Sequence, residues 1–376
     1  MSVYLDHAAT TPMRPEAVEA MLPYLTEHFG NASGSHAVAR QARKALDEAR
    51  EVVATCLGAR PGEVVFTGGG TEADNLAIAG AHGVRPGPVV CTAVEHHAVL
   101  HACAALPERR TAPVTPDGTV DLDALAGLLD PAVSVVSVML ANNEVGTVQP
   151  LADVIATVRS HAPEAVVHTD AVQAFPWLDV AALAADADLV AVSAHKFGGP
   201  KGVGALAVRE GVRVAPIIHG GGQERDRRSG TYNVAGIVGM AAAMQATVAA
   251  RTETVARVSR LRDRLADGLL AAVPDGVETG RRPGKIAGNC HICFAGVEAE
   301  ALLVLLDGAG VCAAAGSACT SGAVEPSHVL TAMGVAPNLA GGALRLSLGG
   351  PSTDADVDAA LAAIPPAVAR LRASSP

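Results

Sequence analysis

The sequence predicts an α/β protein with a mainly parallel central sheet, followed by a smaller α+β domain. Between Glu63 and Val208 short apolar runs alternate with helical stretches, the pattern of a parallel sheet covered on both faces. After Arg251 the texture changes to a charged helix and short strands. The 376 residues, 49% hydrophobic, suffice for a large core, and a chain of this length more often forms two domains than one.

The elements follow in order. "HAVARQARKALDEAREVVATCLG" places Val38, Ala42, Leu46, Ala49 and Val53 on one stripe and ends at Gly58, as an amphipathic helix should. Lys44 lies off that stripe and reads as solvated surface. "EVVFT", "PVVCTAVEH", "VSVVSVMLANN", "AVVHTD", "ADLVAVSAH" and "GVGALAV" each read as a buried strand. The uncharged run Ser229 to Ala250 has spanning length, but Ser, Thr, Asn, Gln and many Ala and Gly dilute it, so a buried helix is expected. Then come the helix "TVARVSRLRDRLADGLLAAV", the loop "PDGVETGRRPGK" and the strands "NCHICF" and "GALRLSL". The expected division is a large domain over 15–252 and a small one over 253–376 together with 1–14.

Charge and composition exclude some functions. A formal net charge of -10 argues against a nucleic-acid partner, which needs a positive excess. "MSVYLDHAATTP" has no basic region followed by an apolar run, so it is not read as a secretory signal, and a cytoplasmic, membrane-free protein is expected. Seven cysteines in such a chain fit free thiols.

Ligands of open α/β sheets bind beyond the carboxyl ends of the strands, so the chemistry is sought there. After "EVVFT" comes "GGGTEADNLAIAGA": three glycines permit a tight turn, and the helix that follows has free N–H groups able to hold an anion. It has neither the lysine of a P-loop nor the spacing of a dinucleotide fingerprint, and a plain glycine turn is the alternative. After "AVVHT" comes Asp170, an acid whose position at a buried strand end implies a partner, structural or functional. After "ADLVAV" come Ser193, His195 and Lys196, and a partly desolvated lysine there is a nucleophile. The chain has four lysines, Lys44, Lys196, Lys201 and Lys285; Lys201 sits in a "GGPKG" turn and Lys285 in a polar loop, so both are weaker candidates. Acid, lysine and anion cup together meet the needs of pyridoxal 5'-phosphate: an acid for its ring nitrogen, an amine for its aldehyde and N–H donors for its phosphate. His96 and His97 add flat rings that could stack on a cofactor or serve as loop polar groups.

Cys319, in "AAGSACTSGAVEPSHVL", has small and hydroxylic neighbours before a short helix at "PSHVL", which suits a reactive thiolate as well as an incidental thiol. Cys290 and Cys293 have C-x-x-C spacing, but residues three apart on a strand face opposite sides, so no metal site is expected there. Cys56, Cys91, Cys103 and Cys312 are expected in the core.

From "YLDHAATTP" through "TEADNLAI", "EHHAVL", "NNEVGTVQP", "HTDAVQ", "SAHKFGGPKGVGAL", "HGGGQERDRRSGT", "GSACTSG" and "LRLSLG" the chain resembles the cysteine desulfurases of the nitrogen-fixation and iron-sulfur-cluster type, in the class V aminotransferase group. The resemblance implies fold type I of the pyridoxal-phosphate transferases and a homodimer. It implies Lys196 as the covalent anchor, Asp170 on the ring nitrogen, Gln173 on the ring hydroxyl, and His96 both stacked on the ring and shuttling protons. Gly70, Thr71, Ser193 and His195 would hold the phosphate, with Thr231 reaching in from a second subunit. Asn143 and Arg345 would clamp the substrate carboxylate, and Cys319 would accept sulfur as a persulfide while L-cysteine becomes L-alanine. The cysteine segment is similar to that of the branch that passes sulfur to scaffold or carrier proteins. Other enzymes with this cofactor, such as a selenocysteine lyase or an aminotransferase, are the alternative, and a non-catalytic sulfur carrier is a further one. The chain departs from the family pattern at "GNASG" (Gly30 to Gly34), Gly70 and Ala194.

Overall fold

The computed structural model describes residues 2–315 and 327–374. Its strands are β1 (Val3–Tyr4), β2 (Val64–Thr67), β3 (Val89–Thr92), β4 (Arg109–Ala112), β5 (Val135–Ser137), β6 (Val166–Asp170), β7 (Leu189–Ser193), β8 (Gly204–Val208), β9 (Val277–Glu278), β10 (Asn289–Cys293), β11 (Val311–Cys312) and β12 (Ala343–Ser347). Seven of them form one sheet in the order β2-β8-β7-β6-β5-β3-β4. β8 runs antiparallel to both its neighbours, and every other pair is parallel. Strands β2, β3, β5, β7 and β8 are buried at every position, which is why each reads as an unbroken apolar run. Strand β4 gives no such signal. As "RRTA" on the sheet edge it buries only Ala112, so it was not expected.

The helix Ala37–Cys56 begins at His36, whose ring accepts a hydrogen bond from the Ala39 amide, and Gly58 beyond its end takes φ +58°. The buried stripe is Ala39, Ala42, Leu46, Ala49 and Val53, whereas Val38, expected on it, is exposed. The two helices expected on either side of Arg251 are one helix of 39 residues, Val234–Ala272. Its first half packs Ile237, Met240 and Met244 into the core of the large sheet, and its second half packs Val258, Leu261, Leu265 and Leu269 into another core. The boundary drawn at 252/253 therefore falls inside a continuous helix. That helix is long and apolar enough to cross a membrane, yet 56% of its most apolar window is buried inside the protein.

The second core gathers Ile292, Phe294, Leu344 and Leu346 around an antiparallel sheet in the order β12-β10-β9. Leu5 joins it, and β1 pairs in parallel with β11. The N-terminal segment thus starts on the small domain and then crosses to the large sheet, where Thr11 N–H donates to the His195 carbonyl. Cys290 packs in this core and Cys293 in a different cluster with Val94 and Val329, so strand alternation does separate them. Cys91 and Cys103 are buried, but Cys56 and Cys312 are partly exposed rather than core. Lys285 also departs from expectation. Its side chain is fully buried and pairs with Glu278 at 3.3 Å.

Candidate active site

A cavity of about 460 Å³ opens where the ends of β6 and β7 meet the small domain, a volume that suits a cofactor with a small substrate. It gathers Gly70, Thr71, His96, Asn143, Asp170, Gln173, Ser193, His195, Lys196 and Arg345, all of them foreseen as site residues. Two foreseen residues are not among them. Thr231 is exposed in a separate crevice beside Gly68 and Arg228, and Cys319 lies outside the described residues.

The large sheet supplies one wall. Asp170 closes β6, is 5% exposed, and accepts a hydrogen bond from the Val172 amide at 2.8 Å. Burial lifts its carboxyl to about 6, opposed by that amide and by Lys196. Lys196 follows β7 in a single 3₁₀ turn, Ala194–Lys196, and its amine donates to the carbonyls of Ala8 and Ala9. Burial pulls that amine down to about 8, Arg345 adds to the fall, and Asp170 and Asp6 oppose it. His96 caps the helix His97–Ala104, accepting from the Ala98 amide at Nδ1, and His195 Nδ1 lies 3.2 Å from the Thr10 hydroxyl. Burial first, then Lys196, draws both imidazoles down to about 4, so both are neutral at neutral pH. Gln173 donates to the Ala8 carbonyl at 2.7 Å.

The anion cup is built as its glycines require. Gly69 takes φ +146°, and the helix Gly70–Val84 starts beyond it without a side-chain cap, leaving its opening N–H groups without intrahelical partners. A Cβ on Gly70 would lie 2.9 Å from Val172 Cγ2 and 3.4 Å from Ser193 Cβ, so the backbone approaches Ser193 closely.

The small domain and the N-terminal segment supply the other wall. Arg345 of β12 donates through Nη2 to Asp6 Oδ1 at 2.8 Å and through Nη1 to the Asn143 carbonyl at 3.1 Å. Its Nε is buried without a partner among the described residues. Glu144, Ala314 and His328 also face the cavity, and the His328 ring lies 4.7 Å from that of His97.

Asp6, Glu144 and His328 were not among the residues expected here, and Asp74 was expected only to help open the helix after the glycine turn. Asp6 and Asp74 stand within quoted motifs, but nothing in their local sequence shows where they point. Asp74 is fully buried with its Oδ1 3.5 Å from His168 Nε2. Burial, then Asp170 and Glu95, push its carboxyl well above the usual carboxylate range.

Residues 3–360 match the family model of class-V aminotransferases. The chain belongs to the class-V aminotransferase family. Within this family it is 50% identical over 384 residues to an IscS-like cysteine desulfurase of Mycobacterium tuberculosis, covering 98% of this chain and 97% of that protein. It is 43% identical to the cysteine desulfurase IscS of Methanosarcina thermophila, over 100% of this chain and 94% of that one. Among solved structures a NifS-like protein is similar with a TM-score of 0.91 and 36% identity, covering 98% of this chain and 100% of that chain. SspA in complex with cysteine is similar at 0.80 and 30%, covering 94% and 100%.

Enzymes of this class-V group depend on pyridoxal 5'-phosphate, and the cavity fits that group. A buried acid, a lysine with a lowered pKa, a flat neutral imidazole and an uncapped helix start meet in one space. Arg345 Nε is a buried donor left without a partner among the described residues.

Proposed function

We propose that this chain is a pyridoxal-phosphate-dependent cysteine desulfurase that takes L-cysteine to L-alanine, carries the sulfur as a persulfide on Cys319 and passes it to an acceptor protein. The observation that carries this reading is that Asp170, Lys196 and Arg345 line one cavity, the first two on the sheet wall and Arg345 on the other. Relatives named cysteine desulfurase, matched over the full length of this chain, support it.

When bound, pyridoxal phosphate supplies an aldehyde for an amine and a ring that withdraws electrons from the substrate's α-carbon. The helix start at Gly70 and Thr71, with Ser193 and His195, would hold the phosphate, and Asp170 would keep a proton on the ring nitrogen. Gln173 would meet the ring hydroxyl, and His96 would cover the ring. Lys196, its amine partly neutral near neutral pH, would anchor the cofactor, and that amine or His96 would move the substrate's α-proton. Arg345 and Asn143 hold the substrate carboxylate.

The Cys319 thiolate forms a bond to the substrate sulfur while the substrate's carbon–sulfur bond breaks. The electron pair of that bond stays with the carbon, which takes up a proton and becomes the methyl group of alanine. No outside oxidant is needed, because the carbon is reduced as the sulfur is oxidised to the persulfide level.

The exposed position of Thr231 supports a homodimer in which this threonine completes the partner's phosphate site, and sizing at working concentration should give a dimer. Incubation of the pure protein with L-cysteine should yield alanine and a persulfide on Cys319 by mass spectrometry. Cys319→Ala should lose the persulfide while still binding L-cysteine; alanine formed at the wild-type rate in that variant would overturn the reading.

A further inference from the structure

Asp6 is fixed from both sides. Leu5 N–H donates to the Cys312 carbonyl and His7 N–H to the Ser347 carbonyl, while Tyr4 donates through its hydroxyl to the Asp6 carbonyl at 3.1 Å. Its carboxylate gives one oxygen, Oδ1, to Arg345 Nη2, and Oδ2 has no partner among the described residues on the side chain that lines the cavity. Two residues further along, the carbonyls of Ala8 and Ala9 hold the Lys196 amine, so this one segment sets both Asp6 and the reacting lysine in the cavity.

Arg345 carries five N–H donors in a fixed plane. Asp6 and the Asn143 carbonyl take one each, and Nε, though buried, has no partner among the described residues. Those two contacts leave Arg345 hydrogens unused, so a substrate carboxylate can join the guanidinium without evicting Asp6. The result is one guanidinium between two carboxylates in a largely buried space, a net negative charge that desolvation makes costly unless a cation joins it. An α-amino acid brings that cation as its own ammonium, on the carbon next to its carboxylate.

We propose that Asp6 and Arg345 together read the zwitterion of an α-amino acid: Arg345 takes the carboxylate, and Asp6 takes the ammonium and holds it toward Lys196. Asp6 is thus a specificity-determining residue, and the cavity disfavours a thiol that has the carboxylate without the amine. This inference deepens the cysteine desulfurase reading and rests on it.

The test uses Asp6→Asn in the cofactor-loaded enzyme, with two ligands that differ only in the amino group. One is L-cysteine, read as KM and supported by L-alanine binding from the cofactor's absorbance. The other is 3-mercaptopropionate, read as Ki against L-cysteine. Removing the charge should raise KM and weaken L-alanine, while the inhibitor binds more tightly because a repelling carboxylate is gone. The ratio of KM to Ki should rise about 10-fold or more. Asp6→Glu, which keeps the charge, should hold the wild-type order of preference, and it carries the comparison if the Asn variant does not fold or retain cofactor. Equal shifts for both ligands, or none, would reduce Asp6 to a brace for Arg345 and overturn the proposal. Failure of the wild type to make alanine from L-cysteine would instead sink the desulfurase reading, and the two failures are separate measurements.

Discussion

The two walls of the cavity are made in different ways. Asp170, Ser193 and Lys196 stand at or just after the carboxyl ends of two adjacent parallel strands, β6 and β7, so the register of one sheet places all three. Asp6 and Arg345 are 339 positions apart and meet because the N-terminal segment lies alongside β12, with Asp6 bridged to Ser347. Strand order places the residues of the first wall, and the Ala8 and Ala9 carbonyls then hold the Lys196 amine. The second exists only once the N-terminal segment has joined the small domain's core.

Substitutions separate the walls by the size and kind of loss. On the sheet wall, Lys196→Ala should lower kcat by a factor of about 10³ or more and abolish borohydride-fixed attachment of the cofactor, because the nucleophile itself is gone. The same amine gives a pH signature. With its pKa lowered from 10.5 to about 8, about a tenth of it is neutral at pH 7, and the reattachment rate of cofactor to the apo protein should climb roughly tenfold per pH unit up to about 8 and then level. A rate still climbing steeply at pH 10 would show that the amine is not desolvated. Asp170→Asn should cost about 10²-fold in kcat with the cofactor still attached, since an amide cannot hold the ring nitrogen's proton by charge. On the docked wall the expected change is smaller and falls on binding: Arg345→Lys should raise KM for L-cysteine about 10-fold, because a point charge cannot reproduce the two-pronged grip. A fall in kcat with KM unchanged would mean that Arg345 serves the chemistry and not the docking.

The same contrast explains what the sequence disclosed. A buried strand announces itself as an apolar run, so the polar residue ending it can be found by reading alone; Asp170, Ser193 and Lys196 came out that way. Edge strand β4, with "RRTA" and one buried residue, carries no such run and was missed. Arg345 sits in the middle of β12, where no strand end marks it, and only the family resemblance singled it out. Asp6 lies in a motif quoted for that resemblance, yet its role depends on a partner from the far end of the chain. The merged helix Val234–Ala272 shows the reverse case. Its composition changes near Arg251 because its two halves face two different cores, and a change of surroundings was read as a break in the chain's local structure.

The smallest expected effect is at Gly70, a position where the family commonly has alanine. Two terms oppose each other there. Alanine is favoured over glycine inside a helix by about 1 kcal/mol, less at a first-turn position. Against that, the added methyl would lie 2.9 Å from Val172 Cγ2, closer than carbon atoms tolerate, while Ser193 Cβ at 3.4 Å is acceptable. Val172 is only partly buried and lines the cavity, so its isopropyl group can rotate into open space; the methyl is accommodated at the expense of room on the cofactor's side. Gly70→Ala should therefore leave the melting temperature of the apo protein within about 2 °C and weaken cofactor binding by a few-fold, with Val172→Ala in the same chain restoring it. Weakening that persists in the double variant would mean that the backbone at the helix start, rather than the Val172 side chain, fixes the phosphate site.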